Sequence, residues 1–232
     1  MGESFTFDVA THGSTTALVY RAREPIGATL ILAHGAGAAQ THPFMVDMAQ
    51  RIGKRGIDVV TFNFLYTEHA RKIPDRNDLL EACWLAAIAS VRARAGLPTE
   101  RMFYGGKSMG GRIVSNIAAS AAGEGLTASG LVFLGYPLHP ANKPEVRRDA
   151  HLSRVPFPML FVQGSRDALG DAVEMRKVVR RLPHGALHIV RGGDHSLGLL
   201  ERDGGAGKRE PALEGAADAI AAFVRKFGGT LG

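Results

Sequence analysis

The chain has 232 residues, 45% of them apolar, a single cysteine and a net charge of +6. That length and apolar content suit one folded α/β domain over residues 1–232 and exclude a disordered chain. The lone Cys83 excludes an internal disulfide and fits the cytoplasm, as does a start, MGESFTFDVA, without a basic-then-apolar leader. No apolar run reaches membrane-span length, which excludes a membrane protein. The basic residues are scattered (Arg147-Arg148, Arg176-Lys177, Arg180-Arg181) and form no aromatic-interleaved stripe, which excludes a nucleic-acid surface.

Residues 4–9 alternate polar and apolar and predict a half-buried strand. A turn at His12-Gly13-Ser14 leads to a second strand over 15–21, and the two form an antiparallel hairpin at a sheet edge. Residues 28–33, ATLILA, are continuously apolar, the pattern of a strand buried on both faces. His34-Gly35-Ala36-Gly37-Ala38 follows, a small-residue loop ahead of a helix over about 43–55. Backbone N–H groups in such a loop can approach a developing oxyanion with no side chain in the way. Ala36 is the expected donor and Gly37 the alternative; His34 is a cleft candidate that braces the loop better than it catalyses.

A buried strand is expected over 57–64. The segment Leu65 to Asn77 then leaves a strand's carboxyl end, where clefts form, and is expected to wall the site with Tyr66. Residues 78–95 carry Leu79, Leu80, Cys83, Trp84, Ala87, Ile88 and Val91 at helical spacing, which places Cys83 and Trp84 in the core. Gly96 and Pro98 end that helix.

Arg101 to Arg112, RMFYGGKSMGGR, is the stretch that organises the rest. A short apolar run meets Gly106-Lys107-Ser108-Met109-Gly110 and passes into helical spacing from Ile113. Strand, tight glycine turn, helix is the context that makes G-x-S-x-G a nucleophile turn. The serine is forced into a strained backbone, and the residues two before and two after must lack side chains. Its hydroxyl then stands at a helix N-terminus, where negative charge is favoured. Met109 would supply a second oxyanion N–H.

Residues 129–136 predict a strand, and 137–157 is a segment rich in proline and charge, too short for a lid domain. It contains His139, a cleft candidate, and His151. A strand over 158–163 is followed by Gly164-Ser165-Arg166-Asp167; Asp167 is the expected acid and Asp171 the runner-up, although Asp171 also suits the N-cap of a helix over 172–182. The last strand, 186–191, leads into Gly192-Gly193-Asp194-His195-Ser196, where the glycines let the loop carry His195 back to the serine and Asp194 orders the loop. Residues 203–208 read as a flexible loop, and Pro211 as the opening of a final helix to about 226.

Ser108, Asp167 and His195 occur in the nucleophile–acid–base order of α/β-hydrolases. The chain resembles that superfamily over nearly its whole length, in the small lidless form similar to dienelactone hydrolase. More narrowly it resembles bacterial proteins related to a testis-expressed hydrolase-like protein and to subunit 3 of the nonspecific-lethal chromatin complex. The resemblance rests on Gly105 to Arg112, Gly135-Tyr136-Pro137-Leu138-His139-Pro140, Phe161 to Asp167 and Gly193 to Ser196; the segment Phe62 to Asp75 is similar too, with Leu65 where proline is expected. It implies a mostly parallel sheet of about eight strands with helices on both faces and no lid. The expected activity is hydrolysis of a small ester-like substrate through an acyl-enzyme, with no metal or organic cofactor. A thioesterase, a small peptidase or a non-catalytic binding scaffold are the alternatives. His34, Gly37, Tyr66, Lys107 and His139 are the candidate cleft residues; Lys107 and Arg112 have no assigned role, and the oligomeric state is open.

Overall fold

A computed structural model describes residues 3–120, 124–199 and 205–228, without the side chains of 205–208. Eight strands form one sheet in the order β1-β2-β4-β3-β5-β6-β7-β8. They span Glu3–Asp8, Ser14–Tyr20, Ala28–Ala33, Ile57–Phe62, Met102–Lys107, Gly130–Leu134, Met159–Gly164 and Gly185–Val190. β1 and β2 are the antiparallel edge hairpin, and β2 also runs antiparallel to β4. All other neighbours pair parallel.

The apolar runs are continuous because both faces are covered. On β3, Leu30 and Leu32 face one core while Ile31 and Ala33 face the other. The first core is closed by α1 (Pro43–Gly53) and α6 (Gly205–Phe227), through Met48, Ile52, Ile220 and Val224. The second is closed by α3 (Asn77–Ala93), α4 (Met109–Ala118) and α5 (Ala172–Val179), through Trp84, Ile113, Ile117 and Met175. The short α2 (Leu65–Glu68) lies between β4 and α3. Trp84 and Cys83 are core residues, as their spacing predicts. Burial pushes the Cys83 thiol up to about 12, so it stays protonated.

Two expectations fail at the C-terminus. α6 begins at Gly205, inside the stretch read as a loop, and Pro211 is an interior residue; Asp203 and Gly204 lie outside the described residues. The turn ahead of the proline is held from outside. The buried Arg51 guanidinium on α1 pairs with Asp47 at 2.9 Å, with Glu210 at 2.5 Å and with Glu214. Glu210 precedes Pro211, so this cluster docks both sides of the proline on α1.

β3 lies between β4 and β5, so the winding reverses there and the loops leaving β3 and β5 part at their carboxyl ends. A crevice is expected at such a reversal. Among the described residues, no helix is long and apolar enough to cross a membrane.

Candidate active site

The crevice is a cavity of about 480 Å³ at that reversal. Ser108 follows β5 directly and caps α4, with φ +49° and ψ −113°. A positive φ is costly for serine. It is imposed because strand and helix pass too close for side chains: a Cβ on Gly106 would meet the Ala33 oxygen at 2.5 Å and the Gly110 carbonyl carbon at 2.9 Å. A Cβ on Gly110 would meet the Ala33 and His34 oxygens at 2.6 Å. From beneath, the buried Trp84 donates its indole N–H to the Gly110 oxygen at 3.0 Å.

His195 arrives on the loop after β8. Asp194 organises that loop by accepting the Ser196 and Gly198 N–H groups on one carboxylate oxygen, both at 2.8 Å. His195 Nε2 lies 2.8 Å from Ser108 Oγ and Nδ1 lies 2.8 Å from Asp167 Oδ2. A carboxylate only accepts, so Nδ1 carries the proton and Nε2 is free to take the serine's. Asp167 is buried and fully engaged: Oδ2 also accepts from Gln163 Nε2 at 2.7 Å, and Oδ1 from the Leu169 N–H at 2.8 Å. Asp171 instead caps α5 through the Val173 and Glu174 N–H groups.

Gln163 has no role in the sequence reading. Its amide ties β7 to the Tyr136 backbone and the Gly170 carbonyl while holding Asp167. The signal for it was a lone polar residue in the apolar run MLFVQG.

The Ala36 and Met109 N–H groups, the two expected oxyanion donors, have no acceptor among the described residues. Ala36, Gly37 and Lys107 line the cleft with His42, Pro43, Phe44, Met45 and Arg209. The walls are the loop after β3, the start of α1, the first turns of α6 and, through Leu169 and Ser196, the loops after β7 and β8. The segment 65–77, expected to wall it, and the segment 137–157, which holds the cleft candidate His139, supply no lining residue. Residues 137–157 are tied down elsewhere, by Arg147 to Glu174 at 2.9 Å and by His151 to Ser115 at 2.8 Å.

Three cleft candidates are corrected. His139 points away: its Nε2 meets Glu174 on α5 at 3.1 Å and its Nδ1 the Pro140 oxygen at 2.9 Å. Tyr66 is buried and walls an adjoining hollow that shares Gly37, Ala38 and His42 with the cleft. His34 is fully buried under the loop. Its Nε2 accepts the Phe64 N–H at 3.1 Å and its Nδ1 donates to the Gly35 oxygen at 2.8 Å.

Such a histidine has no room for a second proton, and burial pushes its pKa down from 6.5 to about 4. His151 is lowered to about 4 for the same reason, helped by Arg154 and Arg112. Both are ordinary in the unfolded chain, so between pH 6.5 and 4 the unfolded state binds more protons. Stability is then complete above pH 6.5 and falls with acidification, by at most about 1.4 kcal/mol per pH unit per histidine. His139 is shifted the other way, upward, by the Pro140 oxygen and Glu174, so the test is made on His139→Gln: urea unfolding at pH 7, 6 and 5 should show the decline, and a flat profile there would show that neither histidine is held neutral.

Ser115 and His151 are a second serine–histidine pair, but not one built for attack. Ser115 is fully buried in mid-helix and donates its proton to the Arg112 oxygen at 2.7 Å. The described contacts of the His151 ring are to Ser115 and the Tyr136 hydroxyl, not to a carboxylate. Arg112 sits half-buried near Arg148, Tyr136 and Glu81, outside the cleft lining, and nothing in the structure explains it.

The family profile described as an alpha/beta hydrolase domain matches residues 27–225. Among solved structures, the fold is similar to XC6422 of Xanthomonas campestris, an α/β serine hydrolase without a lid (19% identity, 100% of this chain and 97% of that one, TM-score 0.72). It is also similar to dienelactone hydrolase of Anabaena variabilis (16% identity, 97% of each chain, TM-score 0.72). A third likeness is Est1E of Butyrivibrio proteoclasticus (13% identity, 97% of this chain and 100% of that one, TM-score 0.73).

Proposed function

We propose, since the chain belongs to the α/β-hydrolase family, that it is a serine hydrolase cleaving an ester-type bond of a small molecule through an acyl-enzyme on Ser108. The observation that carries this reading is the unbroken chain of contacts, 2.8 Å each, from Ser108 Oγ through His195 to the buried Asp167. His195 Nε2 takes the serine proton as Oγ attacks the carbonyl carbon. Asp167 holds Nδ1–H, fixing the tautomer and stabilising the imidazolium. The carbonyl oxygen, now negative, turns to the Ala36 and Met109 N–H groups; losing one such donor costs about 3 kcal/mol of transition-state stabilisation. The imidazolium protonates the departing alcohol. Water, deprotonated by the same nitrogen, then releases the acid.

An ester is favoured over an amide by the neighbours, among them Est1E with ferulic acid bound. The narrower kinship with the testis-expressed and nonspecific-lethal proteins belongs to the same proposal and rests on the residues Gly105 to Arg112, Gly135 to Pro140, Phe161 to Asp167 and Gly193 to Ser196. A fluorophosphonate probe should label the wild type and leave Ser108→Ala unlabelled. Absence of labelling in folded wild type, with no ester turned over, would make the chain a binding scaffold instead.

A further inference from the structure

The cleft holds a positive charge that the proposed hydrolysis does not use. Lys107 ends β5, precedes Ser108 and lines the cavity. Its ammonium stands over Gly135, where a Cβ would lie 3.1 Å from Nζ, 2.7 Å from the His195 oxygen and 3.5 Å from His195 Nδ1. Gly135 has φ +65°, so a side chain there is disfavoured on conformational grounds as well.

Among the described residues, no hydrogen bond or ion pair reaches this ammonium. Asp167 and Asp194 attract it from a distance. Both are committed, Asp167 to His195, Gln163 and Leu169, and Asp194 to its own loop. Burial has pushed Lys107 down to about 8. Lys107 is half-buried at the cleft, and an ammonium there with no acceptor from the protein is open to an anion from the cavity. A second cation, Arg209, lines the same cavity from α6, and none of the described lining residues is acidic.

We infer that the substrate supplies the missing partner: the ester is one whose acyl chain carries its own carboxylate, bound by Lys107 with Arg209 at the rim. This rests on the hydrolase reading. The acyl chain is assigned because the alcohol departs toward His195 Nε2, which protonates it, and this leaves the acyl chain as the arm free to reach Lys107. A carboxylate there gives the unpaired charge a charge-assisted hydrogen bond.

The test compares monoethyl glutarate with ethyl pentanoate, matched in chain length and different in charge, by proton release. The wild type should prefer the glutarate ester by about tenfold or more in kcat/KM, mostly through KM. In Lys107→Met that ratio should fall to one or below. Wild type that hydrolyses the pentanoate ester as well or better, or a preference that survives Lys107→Met, overturns the inference. Calorimetry on Ser108→Ala needs neither turnover nor a change at Lys107: glutarate should bind more tightly than pentanoate, and equal binding overturns the inference. Tighter glutarate binding with no ester turnover and no fluorophosphonate labelling would keep the anion site and remove the hydrolase reading.

Discussion

Ser108→Ala and His195→Ala are each expected to lower kcat by about 10⁶, and the double variant to be little worse than either. The reason is the shared proton: with Oγ gone His195 has nothing to activate, and with Nε2 gone Oγ keeps its proton. The residual rate comes from the oxyanion donors and binding alone. Asp167→Asn is expected to cost about 10⁴, because an amide that donates to Nδ1 forces the wrong tautomer. Asp171→Asn should leave kcat unchanged, and stability nearly so, since asparagine caps a helix as well as aspartate. Steady-state kinetics on a reactive aryl ester separates the two carboxylates, and a kcat loss at Asp171 without one at Asp167 would reverse the assignment. Additive losses for Ser108→Ala and His195→Ala would mean that they do not act on one proton.

What could be read in advance follows how locally each feature is determined. β3 was expected over 28–33 and spans those residues, because a strand buried on both faces writes itself as an unbroken apolar run. Ser108, Asp167 and His195 were legible because each is set by its own neighbours: a glycine turn after a strand, an acid in a turn, a histidine in a glycine loop. The structure brings these three together. His139 was misplaced because its partner, Glu174, is 35 residues away. Tyr66 and the segment 65–77 lie at a strand end as expected, but the reversal at β3 opens toward the loop after β3 and α6, which no local pattern announces. The first turns of α6 pair through Glu210 with Arg51, more than 150 residues earlier, a contact that no local pattern announces. Lys107 could be seen as odd beside the serine, but whether it is paired depends on three loops meeting.

Gly105 is the sharpest case of a constraint invisible to a motif. It lies outside G-x-S-x-G, yet it meets the closest contact of any glycine at the site: its Cβ would stand 1.9 Å from the Val132 oxygen, 2.8 Å from the Val132 carbonyl carbon and 3.2 Å from its Cα. All three are backbone atoms of β6, with which Gly105 is in register. No rotamer change relieves that contact. β6 can retreat only by breaking the ladder on one side or pressing into β7 on the other, in an interior that is close-packed. Gly105→Ala is therefore expected to cost more than about 4 kcal/mol, the range of severe core disruption, and to yield little soluble protein. Gly13→Ala is the matched control. Gly13 has φ +108° but nothing within 4 Å of the added carbon, so its cost is backbone strain alone, about 1–2 kcal/mol. Chemical denaturation of both variants decides the point. A Gly105→Ala protein within 1 kcal/mol of the wild type would mean that β5 and β6 are not paired in this register, and the placement of Ser108 at the end of β5 would fall with it.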